Sequence, residues 1–354
     1  MSRIDFYPAE RQWLPSLFQR GYFFGKARCG GCKGHCHSGQ ISASFGQYNS
    51  LYDRFMESSR LPRFQRASSV ASIQLTQRDC QIVRLVYRHR FLRSSHIVSL
   101  LDGSPQQFLR RLQLLYHHGY LDRPRVQLEY YHRGGSRPIV YGLGKQGVAL
   151  VKQELGVAFR DRPWDQNDRG AGRMFLQHEL LVADVMVTIA LACRQNGIRL
   201  LTEHELVPDS KRFRWKVKVN GGSKLSVVPD RVFALESQDD NGESNRAFFF
   251  LEADRGTMPV IRKTLSQTSF YRKLLAYEAT WSQSIHRSRF GFHRFRVLTV
   301  TTSAERVKSL VDACSKLKGG QGLFLFADQT ILSGNILSSI WQSGKQGETG
   351  SLLH

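Results

Sequence analysis

Ala247-Phe248-Phe249-Phe250-Leu251-Glu252-Ala253-Asp254 is the most apolar run of the chain, and it ends on two acids. A short run of this kind, rich in aromatic residues, reads as a buried strand. Upstream, Val227-Val228-Pro229-Asp230 closes another strand-like stretch, over 225–228, on a carboxylate. If the two strands are neighbours, Asp230, Glu252 and Asp254 gather at adjacent strand ends. Hard oxygen ligands gathered there suit Mg²⁺, which positions a phosphodiester and activates a water. The plain alternative is that Asp230 caps a turn and Glu252 pairs with Arg255 or Arg262.

Around these strands the apolar pattern alternates. It predicts a long helix over 175–194, a strand over 198–202, a polar loop over 238–245 and a helix over 260–284. A strand over 295–301, a helix over 304–317 and a strand over 322–326 follow. Alternation of this kind predicts an α/β (α+β) fold whose C-terminal part, 174–330, is a sandwich with a mixed sheet. Residues 331–354 read as an irregular tail. A charged connection over 157–173, with Pro163, Gly170 and Gly172, marks the expected domain boundary.

The N-terminal half follows a different plan. Residues 1–73 are rich in Arg, Ser and Gly without a sustained period and read as an irregular basic arm. From Thr76, a suitable N-cap, Ile82, Leu85 and Val86 recur at helical spacing, predicting a helix over 76–89. A turn and a short helix over 91–101 end at Asp102-Gly103. Ser104-Pro105 then opens a helix over 106–118 with Phe108, Leu112 and Leu115 as its buried stripe, closed by Gly119. Strand-like stretches over 121–130 and 138–143 flank His132-Arg133-Gly134-Gly135-Ser136-Arg137, a basic hairpin tip. Three helices and then a hairpin, over 74–156, is the order of a winged helix-turn-helix. Its third helix would read DNA with Gln106, Gln107, Arg110 and Arg111, since Arg matches guanine and Gln adenine in the major groove. Arg133 and Arg137 would contact phosphates from the wing. A solvated helix face accounts for the same residues less economically in so basic a chain.

The 354 residues carry 51 Lys+Arg against 29 Asp+Glu, a formal charge of +22. Such a field favours a polyanion, and double-stranded DNA is the expected partner. No apolar run reads as long enough to span a bilayer, and no basic start with an apolar stretch suggests export, so a cytoplasmic, nucleoid- or plasmid-associated protein is expected. Cys80, Cys193 and Cys314 are isolated, which argues against a disulfide framework. Cys29, Cys32, Cys36 and His37 cluster in the arm; Cys-x-x-Cys is half of a zinc site, and no second pair stands at finger spacing. Phosphate-loop, nucleophile-elbow and His-Glu-x-x-His patterns are absent, which leaves ATP hydrolysis and proteolysis without support.

Pro229-Asp230 with Glu252-Ala253-Asp254 resembles the PD-(D/E)xK phosphodiesterase motif. More closely, Val228-Pro229-Asp230, Phe249 to Thr257, Lys263 and Tyr271, together with Val140-Tyr141-Gly142-Leu143-Gly144-Lys145-Gln146-Gly147, resemble the replication-relaxation family over about residues 74–330. The resemblance implies a winged helix-turn-helix followed by a nuclease-like domain, serving replication, copy control or transfer of a plasmid or other mobile element. It implies Mg²⁺ on Asp230 and Glu252, and partners among replication or mobilisation proteins. One departure stands out: Asp254 occupies the place of the motif lysine, and Lys263 on the expected following helix is the best-placed substitute, with a plain surface lysine as the competing reading. Catalysis therefore hangs on that lysine. A Mg-dependent DNA endonuclease and a homodimeric transcriptional repressor are the competing classes.

Overall fold

The structure, a computed structural model, describes residues 63–353 apart from 69, 71, 129–136, 156–171, 207–212, 220–221, 239–241 and 243. The Cys29, Cys32, Cys36 and His37 cluster and Arg133, with the hairpin tip expected there, lie outside the described residues.

Thr76 starts α1 (Gln77–His89) as its sequence implies: its Oγ1 accepts from the Asp79 N–H at 3.3 Å, and Asp79 Oδ2 accepts from the Thr76 N–H at 2.8 Å. This reciprocal box satisfies the Thr76 N–H and adds to the bond that the Asp79 N–H makes with the Thr76 carbonyl. β1 (Leu92–Arg93), α2 (Ser94–Leu100) and α3 (Pro105–His117) follow. Phe108, Leu112 and Leu115 of α3 are buried against Ile82, Val83 and Val86 of α1, and Gly119, at φ +78°, turns the chain out of the helix.

The expected strand over 121–130 shrinks to β2 (Leu121–Asp122), which pairs antiparallel with β3 (Val140–Leu143). Beyond it Gln127 does the work of a strand residue with its side chain. Its Oε1 accepts from the Val140 N–H at 2.8 Å and its Nε2 donates to the Val140 carbonyl at 3.0 Å, an amide standing in for a peptide group. With β1 on the other side of β3, the strands form a three-stranded sheet of order β1-β3-β2.

The stretch Gly144-Lys145-Gln146-Gly147 starts a helix that periodicity did not suggest, α4 (Lys145–Leu155). Its glycines are there for clearance. A Cβ on Gly144 would lie 2.1 Å from the Gly119 carbonyl oxygen, and one on Gly147 would lie 2.1 Å from that of Tyr120. Gly144→Ala is therefore expected to cost about 2–3 kcal/mol through overpacking, seen as a lowered melting temperature; an unchanged melt would mean that the loop at Gly119 yields freely.

α5 (Arg173–Gln195) is the longest helix described, and by length and apolar composition it could cross a membrane, contrary to the sequence expectation. Most of its apolar stretch is instead packed inside the protein. Ala183 and Val187 join the core of α1–α3, whereas Leu181, Val182, Val185, Met186 and Ile189 join that of the large sheet.

That sheet has seven strands in the order β12-β11-β10-β9-β8-β7-β4. They are β4 (Arg199–Thr202), β7 (Arg231–Gln238), β8 (Ser244–Ala253), β9 (Arg296–Thr301), β10 (Phe324–Asp328), β11 (Trp341–Ser343) and β12 (Thr349–Gly350). The β8–β9 and β9–β10 pairs are parallel and the others antiparallel, so the sheet is mixed and the fold is α/β of the α+β kind. The short helix α6 (Glu203–Leu206) follows β4. β5 (Trp215–Lys218) and β6 (Lys224–Val227) make a separate hairpin. Phe249 and Leu251 face α5. Phe250 faces the opposite layer of α7 (Phe270–Ser282), α8 (Ile285–Phe290) and α9 (Ala304–Cys314), as the two-residue period of a strand requires.

Two expectations are corrected. The segment after residue 331 is no irregular tail: β11 and β12 extend the sheet, and Trp341 is fully buried. The helix expected over 260–284 begins only at Phe270, because the N–H groups of Phe270 and Tyr271 reach the carbonyls of Pro259 (3.0 Å) and Val260 (2.8 Å), which holds the intervening segment as a loop.

Candidate functional site

Asp230 does not end the strand over 225–228, which belongs to the separate hairpin; it immediately precedes β7, a strand absent from the sequence reading. Since β7 runs antiparallel to β8 with Arg231 opposite Leu251, Asp230 comes to lie beside Glu252 near the end of β8. Of the three acids expected together, Asp230 and Glu252 meet, by a different route. The Asp230 N–H donates to the Leu251 carbonyl at 3.0 Å, and Asp230 Oδ2 accepts from the Ala253 N–H at 2.7 Å. Its Oδ1 lies 3.1 Å from Nε2 of His178 on α5.

Glu252 lies on the same face of β8 as Phe250 and is 2% exposed. From α7, the Tyr277 hydroxyl donates to Glu252 Oε1 at 2.6 Å, and the Lys273 ammonium pairs with Oε2. Lys273 and Tyr277 are four residues apart on one helix face, so a single helix delivers both. The Lys273 side chain is 34% exposed, so the site opens to solvent on its side while Glu252 forms the floor.

The charges are mutually dependent. Burial pushes the Asp230 carboxyl up, but the His178 hydrogen bond and the positive charges of Lys273 and His178 outweigh it and hold the group below its ordinary range. The same hydrogen bond raises the His178 imidazole against the effect of burial. Burial dominates at Glu252 and raises its carboxyl even with Lys273 beside it. Burial works against the Lys273 ammonium, yet the charges of Glu252 and Asp230 raise it above its ordinary value. Tyr277, buried against Glu252, is driven far up and remains a hydrogen-bond donor.

Asp254 is turned away from this group. Arg306 of α9 grips it through Nε (2.8 Å) and Nη2 (3.3 Å), the Thr301 hydroxyl donates to it at 2.8 Å, and Arg306 also donates to the Met258 carbonyl at 2.6 Å. A bidentate, buried arginine–carboxylate pair of this kind clamps the loop after β8. Lys263 is exposed on the loop before α7, so the lysine that meets the acids is Lys273. The sequence carried a signal for it: Phe270, Lys273, Leu274 and Tyr277 follow the i, i+3, i+4, i+7 pattern of a core-facing stripe, and a lysine within such a stripe needs an acid. Glu179 is buried between Arg90 (3.6 Å) and Arg231 (3.7 Å), not laid on a helix surface.

On α3, Gln106, Gln107 and Arg110 are exposed together. Arg111 is not part of that face: its guanidinium pairs with the fully buried Asp79 and donates to the Gln74 carbonyl at 3.1 Å. Arg137, the first described residue after 129–136, is exposed. Among the described residues no group of three or more His, Cys, Asp or Glu side chains stands close enough to hold a metal ion by itself.

Comparison with curated proteins and with solved structures gives no match. A family model described as replication-relaxation matches residues 83–294, more than half of the chain. The matched span runs from within α1 past α8 and contains His178, Asp230, Glu252 and Lys273. The chain belongs to the replication-relaxation family, which ties it to replication or to the function of mobile elements.

Proposed function

We propose that the chain processes DNA during replication or transfer of a mobile element, with α3 and the wing holding the duplex and Asp230, Glu252 and Lys273 acting on a phosphodiester. The observation that carries this reading is the ammonium of Lys273 beside Glu252, next to Asp230: the lysine missing from β8 is supplied by α7. Two adjacent carboxylates fit Mg²⁺ in the way that Mg²⁺ takes phosphate substrates, with one or two protein carboxylates and with water and phosphate oxygens completing its shell. Asp230 and Glu252 would hold it, and when bound it supplies positive charge to the phosphate and lowers the pKa of a water. Lys273 is the solvent-reaching cation that faces charge developing on the phosphate oxygens. His178 fixes the orientation of Asp230, and Tyr277 fixes that of Glu252. The +22 charge and the exposed Gln106, Gln107 and Arg110 support the DNA-holding part.

The test is nicking of supercoiled plasmid by the purified full-length protein with Mg²⁺ or Mn²⁺. Asp230→Ala is expected to abolish nicking while gel-shift affinity stays within about threefold. Retained DNA binding with no cleavage under any divalent cation would favour a second reading, a DNA-binding scaffold. One observation favours that alternative: each of the three acids already has a basic partner within the fold.

A further inference from the structure

In the N-terminal half, remote in sequence from Asp230 and Glu252, lies a half-open cavity of about 860 Å³. Arg66, Arg123, Arg125, Lys145 and Lys152 line it against one acid, Asp122, which accepts from Arg66 at 3.3 Å. Arg123 is the unusual member because it is only 5% exposed. Its Nη1 donates to the Arg63 carbonyl, its Nη2 donates to the Tyr141 hydroxyl at 3.0 Å, and its guanidinium lies 4.1 Å from the centre of the Tyr116 ring. Both acceptors are neutral, and the buried Nε has no hydrogen-bond partner. A buried guanidinium without a carboxylate is costly unless an anion completes its surroundings.

We propose that this cavity binds a phosphate ester of nucleotide size, with Arg123 as its buried anchor and the exposed Arg125 and Lys145 closing on the phosphate. A planar guanidinium matches phosphate geometry, and the surplus of cations suits a doubly charged group. The volume lies in the range of small-ligand sites and far exceeds a lone phosphate. Phe91, Val148 and Ala149 add apolar wall for a sugar or base. The cavity adjoins Tyr116 near the C-terminal end of α3, about 15 Å along the helix from Gln106 but only about 9 Å from Arg110, at a rise of ~1.5 Å per residue. The ligand's phosphate is either that of a free nucleotide or that of a phosphorylated DNA strand end.

Full-length protein titrated calorimetrically at low salt separates these sources, using deoxyadenosine monophosphate, a 5′-phosphorylated hexanucleotide, its 5′-hydroxyl twin and inorganic phosphate. Binding of both the mononucleotide and the phosphorylated hexamer assigns a free nucleotide unit, and binding of the hexamer alone assigns a strand end. In either case Arg125→Ala/Lys145→Ala, whose side chains are exposed and spare the fold, weakens affinity at least tenfold. Asp230→Ala/Glu252→Ala leaves it unchanged, so loss of the cleavage reading would not touch this one. The inference is overturned if neither phosphorylated ligand binds or if the double variant binds as tightly as the parent. It is equally overturned if the 5′-hydroxyl twin matches the phosphorylated strand, or if inorganic phosphate matches the nucleotide.

Discussion

Lys273→Ala is expected to lower plasmid nicking by at least about a hundredfold, the loss typical of removing one group that stabilises transition-state charge. It is also expected to lower stability, because Glu252 at 2% exposure is left without its cation. Breaking a buried pair from one side costs about 3–5 kcal/mol; since Lys273 reaches solvent, about 2–4 kcal/mol is the expected range. The double variant Lys273→Ala/Glu252→Gln isolates the stability effect: replacing the orphaned carboxylate by an amide that still accepts from Tyr277 should recover most of the melting temperature. Cleavage at the parent rate by Lys273→Ala, assayed below its melting temperature, would show that Lys273 only props up the fold.

Asp79→Ala should be the most damaging single change in the N-terminal half. Asp79 is fully buried and accepts from the Thr76 N–H, the Thr76 hydroxyl and the Arg111 guanidinium, so its removal unmakes the α1 cap and strands Arg111. The expected cost is about 3–5 kcal/mol. Burial pushes the Asp79 carboxyl up, but the Arg111 and Thr76 hydrogen bonds hold it below its ordinary value of 3.8. A carboxylate lowered by folding contributes stability that is complete above its unfolded value and is lost as the pH falls through its folded value. The parent should therefore lose stability below about pH 4 more steeply than Asp79→Asn does, as followed by urea denaturation at pH 3 and pH 7. Parallel curves would mean that the pair contributes nothing. Arg111→Ala should accordingly lower stability, whereas Arg110→Ala should weaken DNA binding with an unchanged melt.

Much of this was legible in the sequence because the decisive features are local. The Thr76 cap, the α3 stripe of Phe108, Leu112 and Leu115, and the apolar β8 run each follow from residues within one or two helical turns or one strand. The acids at 230 and 252 were found together, although through the wrong strand and with Asp254 counted among them. Pro229 hid the start of β7, where Arg231 begins a pattern interrupted by no turn. Lys273 was missed in favour of Lys263 because Ile261 and Leu265 stand at helical spacing ahead of Phe270, and only carbonyls folding back onto Phe270 and Tyr271 fix the true helix start. Arg111 and Arg110 are adjacent and chemically identical. Only the long-range partner Asp79 separates a structural arginine from an exposed one. Long-range pairing likewise draws β11 and β12 into the sheet, although neither has enough residues to declare itself by pattern.

α5 gives one row of side chains to the packing of α1–α3 and another to the large sheet, and it carries His178 at the acidic site. A helix gripped on two faces couples the two packings thermodynamically. Whatever tightens the packing around Ala183 and Val187 also narrows the motions open to His178, and the reciprocal holds with the same coupling free energy. A fragment ending at residue 156 would lack this helix and expose the apolar surface that it covers, so the smallest N-terminal piece that folds on its own should extend through Gln195.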